Sequence, residues 1–289
     1  MSDPTWLCAR GLSSPRRRWR RAAAIPLVTV AFSGVLPERA RGEVLDDMRP
    51  LWRVEGLGDP SWADVHGQLY LHPFPVSFGQ CPDSPIVRPI RPDRGSPGAM
   101  VAGWVAALGV DRPFVYVTSG TEPPSVTFPW RELFAALDDL PVDAVATIGP
   151  HVDPAALGAV PPNVRVERFV PQADLLARAT AVVSHGGAGT VLGSASHGRP
   201  QLVLPLFADQ WENGVAVEDA GCGMVLGPTG RGLEAVKQAL GTLLAGSSHR
   251  DAAIRVAGEI AAMPPATDLA LEIEVLAARS PSTETRHRP

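Results

Sequence analysis

A chain of 289 residues, 45% apolar and 19% charged, can hold one large domain or two ordinary ones and can bury a core. Its formal charge of −4 leaves no basic surplus to neutralise a phosphate backbone, so a nucleic-acid partner is not expected. No apolar stretch reaches the roughly 18 residues of a membrane-spanning helix.

Cys8, Cys81 and Cys222 are widely spaced, with no CxxC and no Cys/His interval suited to zinc. Free thiols in a reducing, cytoplasmic setting are the expectation, with no metal. The run "PRRRWRRAAAIPLVTVAFSG" has the basic and apolar character of a secretory leader. Against that, Pro26 breaks the apolar part and fifteen residues precede Arg16. The competing expectation is a helix end, a turn and a buried strand.

Residues 1–99 read as irregular. Seven prolines lie between His72 and Gly98, and proline fixes φ and removes a ladder donor, so this run reads as an extended connector. From about Met100 strands and helices alternate. "PFVYVT" (113–118), "DAVATIG" (143–149), "VRVERFV" (164–170), "AVVS" (181–184), "QLVLP" (201–205) and "GMVLG" (223–227) read as strands. Helices are expected over 129–140, 172–179, 188–198, 211–221 and 232–246, with two more helical stretches to about Arg279. This alternation predicts one complete α/β domain over 100–280 with a doubly wound parallel sheet, and a disordered tail over 281–289.

Ligands of such sheets sit beyond the carboxyl ends of the strands. Three loops there stand out: Ser119-Gly120-Thr121, "SHGGAGT" (184–190) and "PLFADQ" (205–210). Glycines at a helix N-terminus let main-chain N–H groups approach a phosphate, and the helix dipole favours the anion. Thr190 adds a hydroxyl and His185 a ring N–H. Tight strand–helix packing would also use those glycines, and the loop alone does not separate the two readings. There is no GxxxxGK[ST], no GxGxxG with a following acidic residue and no GxSxG.

The stretch "RFVPQADLLARATAVVSHGGAGTVLGSASHGRPQLVLPLFADQWENGVAVEDAGCG" resembles the donor-binding signature of GT-B-fold nucleotide-sugar glycosyltransferases, in particular the bacterial macrolide and natural-product branch of family 1. The aromatic-x-Pro-Gln entry, the His-Gly-Gly-x-Gly-Thr turn, the strand-ending Pro and the Asp-Gln pair come in that family's order. "RPFVYVTSGT", "DMRPLWRVEGLGDP" and "LHPFPVSFG" resemble it more weakly.

The resemblance implies an inverting transfer of a hexose or deoxyhexose from a nucleoside-diphosphate sugar to a hydroxyl of a small hydrophobic acceptor, with no cofactor beyond the donor. It implies a GT-B-like arrangement in which 1–99 is a truncated Rossmann-like portion of the acceptor domain. Phe169, Val170, Pro171 and Gln172 would hold the base. His185, Gly186, Gly187, Gly189 and Thr190 would hold the diphosphate, with Ser119, Gly120 and Thr121 as a second donor cluster. Asp209 and Gln210 would bind sugar hydroxyls, and Asn213 would line the same pocket. The catalytic base stays unassigned, since the family places a histidine near the start and here none precedes His66. His66 and His72 are expected at the surface. A binding remnant without turnover is therefore the alternative. One departure is Gly193, where many relatives carry a glutamate that bridges ribose hydroxyls; this favours a deoxythymidine nucleotide over a uridine one.

Overall fold

The structure, a computed structural model, describes residues 26–31, 38–54, 56, 58–79, 86–95, 103–121 and 127–278. The basic run before Pro26, Cys8, Cys81 and the 281–289 tail lie outside the described residues. The chain divides into two compact units.

The smaller unit contains a parallel sheet of β1 (Val28–Val30), β2 (Leu69–His72) and β3 (Val87–Pro89) in that order. The expectation that this region is irregular is thereby corrected. The proline-rich run does not exclude a strand because β3 is an edge strand and its proline is the last residue, where no ladder donor is required. Leu69 and Leu71 of β2 are 1% and 4% exposed and cluster with Val28, Ile90, Leu269, Ile273 and Leu276. The last three recur at helical spacing along the helix Ala266–Ala278. This helix therefore builds the smaller unit's core, and the expected 100–280 domain ends instead at Ala262. His72 is buried in β2 rather than at the surface, and burial pushes its pKa down. His66 lies partly buried, with its ring centroid 4.1 Å from that of Tyr70.

The larger unit is the doubly wound domain. Its strands are β4 (Phe114–Thr118), β5 (Asp143–Thr147), β6 (Val164–Glu167), β7 (Ala181–Ser184), β8 (Gln201–Val203) and β9 (Gly223–Val225). They form one parallel sheet in the order β6-β5-β4-β7-β8-β9. Every residue of β4 and β7 is buried, as expected for central strands covered on both faces.

Alternation along β4 divides the core. Val115 and Val117 join Leu133, Phe134, Leu137, Val236 and Leu240 on one face. Phe114 and Tyr116 join Leu175, Leu176 and Val182 on the other. The first group comes from the helices Trp130–Asp138 and Leu233–Ala245, whose apolar residues recur every three or four positions. The strands and helices expected in this unit are all present, with ends shifted by one to three residues where the chain leaves the sheet.

Phe134 is 1% exposed and touches the Trp130 ring, centroid to centroid 5.6 Å. Phe134→Ala should cost roughly 3–5 kcal/mol of stability through the cavity it opens, read as a drop in the denaturant midpoint without change in slope.

Candidate functional site

β4 and β7 pair in parallel with Thr118 opposite Ser184, so the segments that follow leave the sheet side by side. These are Ser119-Gly120-Thr121 and His185-Gly186-Gly187. Here the strand order reverses: β4 continues to β5 and β6 on one side, β7 to β8 and β9 on the other. Such a switch point opens a crevice at the strands' carboxyl ends.

The His185 ring fills the space between the two loops. A Cβ on Gly120 would fall 2.6 Å from its Cε1, and a Cβ on Gly187 would fall 2.5 Å from its Nε2. Gly120 also sits at φ +78°, where a side chain is disfavoured. Burial pushes the imidazole pKa down to about 4, with the Thr118 main chain opposing. The ring is thus neutral at pH 7, and its Nδ1 is buried without a hydrogen-bond partner.

The remaining glycines of the turn have separate jobs. A Cβ on Gly186 would strike the Gln210 carbonyl at 2.7 Å, so that position serves tight packing. Gly189 has open space around it. The helix Ala188–Ser196 begins hydrogen bonding with Thr190 and Val191, both to the Gly187 carbonyl. The amides of Ala188 and Gly189, one step ahead, take no part in those helical bonds, and they sit at the positive end of the helix dipole.

A cavity of about 720 Å³ lies over this crevice. Its wall takes in Gly120 and Thr121 from the first loop and His185, Gly187, Gly189 and Thr190 from the second. Phe169, Val170 and Gln172 close a third side, ahead of and at the start of the helix Gln172–Leu176. Phe169 is 75% exposed, an unusual state for a phenyl ring and one that leaves its face available for stacking. The Gln172 Nε2 donates to Thr190 Oγ1 at 3.1 Å, joining this side to the turn. Among the described residues no carboxylate contributes to the wall, and Arg168 contributes a cation.

Sequence reading did not single out Arg168, Tyr116, Thr118 or Thr147, which also line the cavity. Strand alternation could have found Tyr116 and Thr118, since both face the same side of β4 near its carboxyl end. The Tyr116 hydroxyl lies 3.0 Å from Thr147 Oγ1, a pairing that depends on which strand neighbours β4 and so is not legible locally.

The other expected site residues stand behind the wall. Ser119 is 2% exposed, and its hydroxyl donates to the Ile148 carbonyl at 3.4 Å. Pro171 is the N-cap residue of its helix. Gln210 Oε1 accepts from the Leu206 and Phe207 amides at 2.8 and 3.2 Å, which braces a loop whose Ala208 has φ +57°. Asn213 Nδ2 donates to the Gly186 carbonyl and to Asp209 Oδ2, both at 2.9 Å. Asp209 makes no side-chain cap to its helix, and burial raises its carboxyl pKa, with the Asn213 bond opposing. Cys222 is a buried free thiol whose pKa burial pushes up to about 12. Among the described residues no group of three His, Cys, Asp or Glu could hold a metal, and no helix is long and apolar enough to cross a membrane.

Residues 131–276, half of the chain, match the family described as "Erythromycin biosynthesis protein CIII-like, C-terminal domain". The chain belongs to this family. It is 35% identical over 199 residues to L-demethylnoviosyl transferase of Streptomyces niveus, covering 64% of this chain and 51% of that protein. It is 32% identical over 253 residues to TDP-daunosamine transferase DnrS of Streptomyces peucetius, covering 84% and 58%. Spinosyn rhamnosyltransferase SpnG complexed with thymidine diphosphate aligns with a TM-score of 0.76 at 28% identity, over 89% of this chain and 70% of that one. The fold is therefore that of the GT-B glycosyltransferases, and the chain spans about half the length of the curated relatives it matches.

Two outcomes follow from the clasped imidazole. Gly187→Ala should displace His185 and weaken thymidine diphosphate binding by about tenfold or more while the circular dichroism spectrum is kept. The His185 ring should titrate with a midpoint near 4 by NMR. Because its folded pKa lies below the unfolded value of 6.5, its contribution to stability is present above pH 6.5 and is lost as pH falls towards 4.

Proposed function

We propose that the chain binds a nucleoside-diphosphate sugar in the switch-point cavity and transfers its hexose or deoxyhexose, with inversion, to a hydroxyl of a small hydrophobic natural-product acceptor. The observation that carries this reading is the juxtaposition of the Ala188 and Gly189 amides, neutral His185 and the Gly120 loop around a cavity whose described wall residues include no carboxylate. Such a wall suits a diphosphate, because fixed dipoles stabilise the charge that the leaving group develops. Family membership and the names of the relatives support the same reaction class.

In this reading the diphosphate oxygens accept from the first-turn amides and from His185. The helix dipole and imidazole N–H stabilise the departing nucleotide, so the proposal invokes no metal or other cofactor. The base stacks on Phe169, and the ribose lies towards Gln172. The sugar extends past the described wall towards Asp209, which is braced by Asn213 and accepts from its hydroxyls. Gln210, whose Oε1 is committed to two amides, acts on the loop instead.

Thymidine is the favoured nucleoside. A Cβ on Gly193 would meet Leu176 Cδ1 at 3.1 Å and Gln172 Oε1 at 3.2 Å, so the position where relatives place a ribose-bridging glutamate is taken up by neighbours. A ribose without a 2′-hydroxyl loses less there. A second reading, binding without transfer, draws on the wall itself: its imidazole is neutral, buried and clasped, which leaves deprotonation of an acceptor unassigned.

Calorimetric titration should show thymidine diphosphate binding more tightly than uridine diphosphate, and the reverse order would sink the thymidine assignment. Incubation with thymidine-diphosphate sugars and a panel of aglycones, followed by mass spectrometry, separates the two readings. A glycosylated product supports transfer, and binding with no product supports the second.

A further inference from the structure

We propose that Arg199, in the turn between the helix Ala188–Ser196 and β8, is a positioning residue for the nucleoside side of the cavity, acting through the helix Gln172–Leu176. The guanidinium donates from Nε to the Leu176 carbonyl at 2.9 Å and from Nη2 to the Ala177 carbonyl at 2.7 Å. These carbonyls belong to the last residue of that helix and its C-cap, where acceptors have no partner within the helix. The Arg199 amide donates to Ser194 O at 3.0 Å, at the end of the other helix. One residue thus fastens the C-termini of both helices whose N-termini, Gln172 and Ala188, line the cavity.

The fork matches two adjacent carbonyls, a geometry that a single ammonium cannot reproduce. No carboxylate among the described residues forms an ion pair with Arg199, and burial together with nearby Arg250 disfavours its charge. The helix carbonyls are what holds the cation in place. The five-residue helix has too few internal bonds to fix its own position. Its opening residue, Gln172, makes the 3.1 Å bond to Thr190, and Phe169 and Val170 lie immediately upstream. Loosening Arg199 therefore moves the wall against which the nucleoside lies. The diphosphate turn has in addition a brace that does not involve Arg199, the Asn213 bond to the Gly186 carbonyl.

This inference rests on the nucleoside-diphosphate reading of the cavity, and the test uses two ligands that separate the two halves of the site. Thymidine diphosphate and inorganic pyrophosphate are titrated calorimetrically into the full chain and into Arg199→Met and Arg199→Lys. Arg199→Met should raise the Kd for thymidine diphosphate by about tenfold while that for pyrophosphate changes by less than about twofold, with Arg199→Lys between. Equal losses for both ligands, or no loss for either, overturn the role of Arg199 and leave the site assignment standing. If Arg199→Met does not fold, Arg199→Lys decides by the same ratio of losses. Failure of the unsubstituted chain to bind thymidine diphosphate overturns the site assignment itself, and the positioning role with it.

Discussion

An imidazole clasped between two glycines is the constraint on which the site depends. His185 occupies its slot only because β4 and β7 are adjacent and in a register that brings both Gly120 and Gly187 against the ring. Shifting that register by one residue would invert which side chains face the crevice and close the slot. Any side chain at either glycine would meet the ring at less than 3 Å. The same enclosure keeps the ring neutral, so it brings no fixed positive charge to the crevice. The wall itself gathers Arg168, oriented amides and a helix terminus, in a chain whose net charge is negative.

Behind the wall lies a layer of side chains committed to the backbone. Asn213 ties the turn to Asp209, Gln210 holds the strained Ala208 loop, Ser119 reaches the end of β5 and Arg199 fastens two helix ends. Each uses main-chain groups as partners, so the shape of the cavity is set by fixed peptide geometry more than by mobile side chains. Preorganisation of this kind lets dipoles act on a reacting group without first reorienting.

Most of the larger unit was legible in the sequence. "AVVS" and "FVYVT" announced buried strands because their apolar runs were short, uninterrupted and followed by glycine turns. "HGGAGT" announced a glycine turn at a helix start, and by itself it left tight packing and anion binding as open readings. What was not legible depended on distant neighbours. Gln210 reads like a ligand from its motif, yet its carboxamide oxygen is taken by Leu206 and Phe207 amides. Arg199 looks like an ordinary turn residue until the carbonyls of Leu176 and Ala177 are placed beside it. The strand β3 was hidden because proline statistics describe central strands, and this strand lies at an edge with its proline last. The helix Ala266–Ala278 read as the end of the larger domain, because nothing local reveals that Leu269 and Ile273 meet Leu69 and Leu71.

That last contact has a consequence for how the chain comes to be folded. The smaller unit's core joins residues near position 70 to residues near position 270, and Arg88 pairs with Glu272 at 2.9 Å across a similar interval. Everything between Pro92 and Ala262 belongs to the other unit. On a ribosome the larger unit can therefore emerge and settle while β2 still lacks its covering helix. The smaller unit must wait, with Leu69 and Leu71 open to chaperones or to other nascent chains, until translation has passed Leu276.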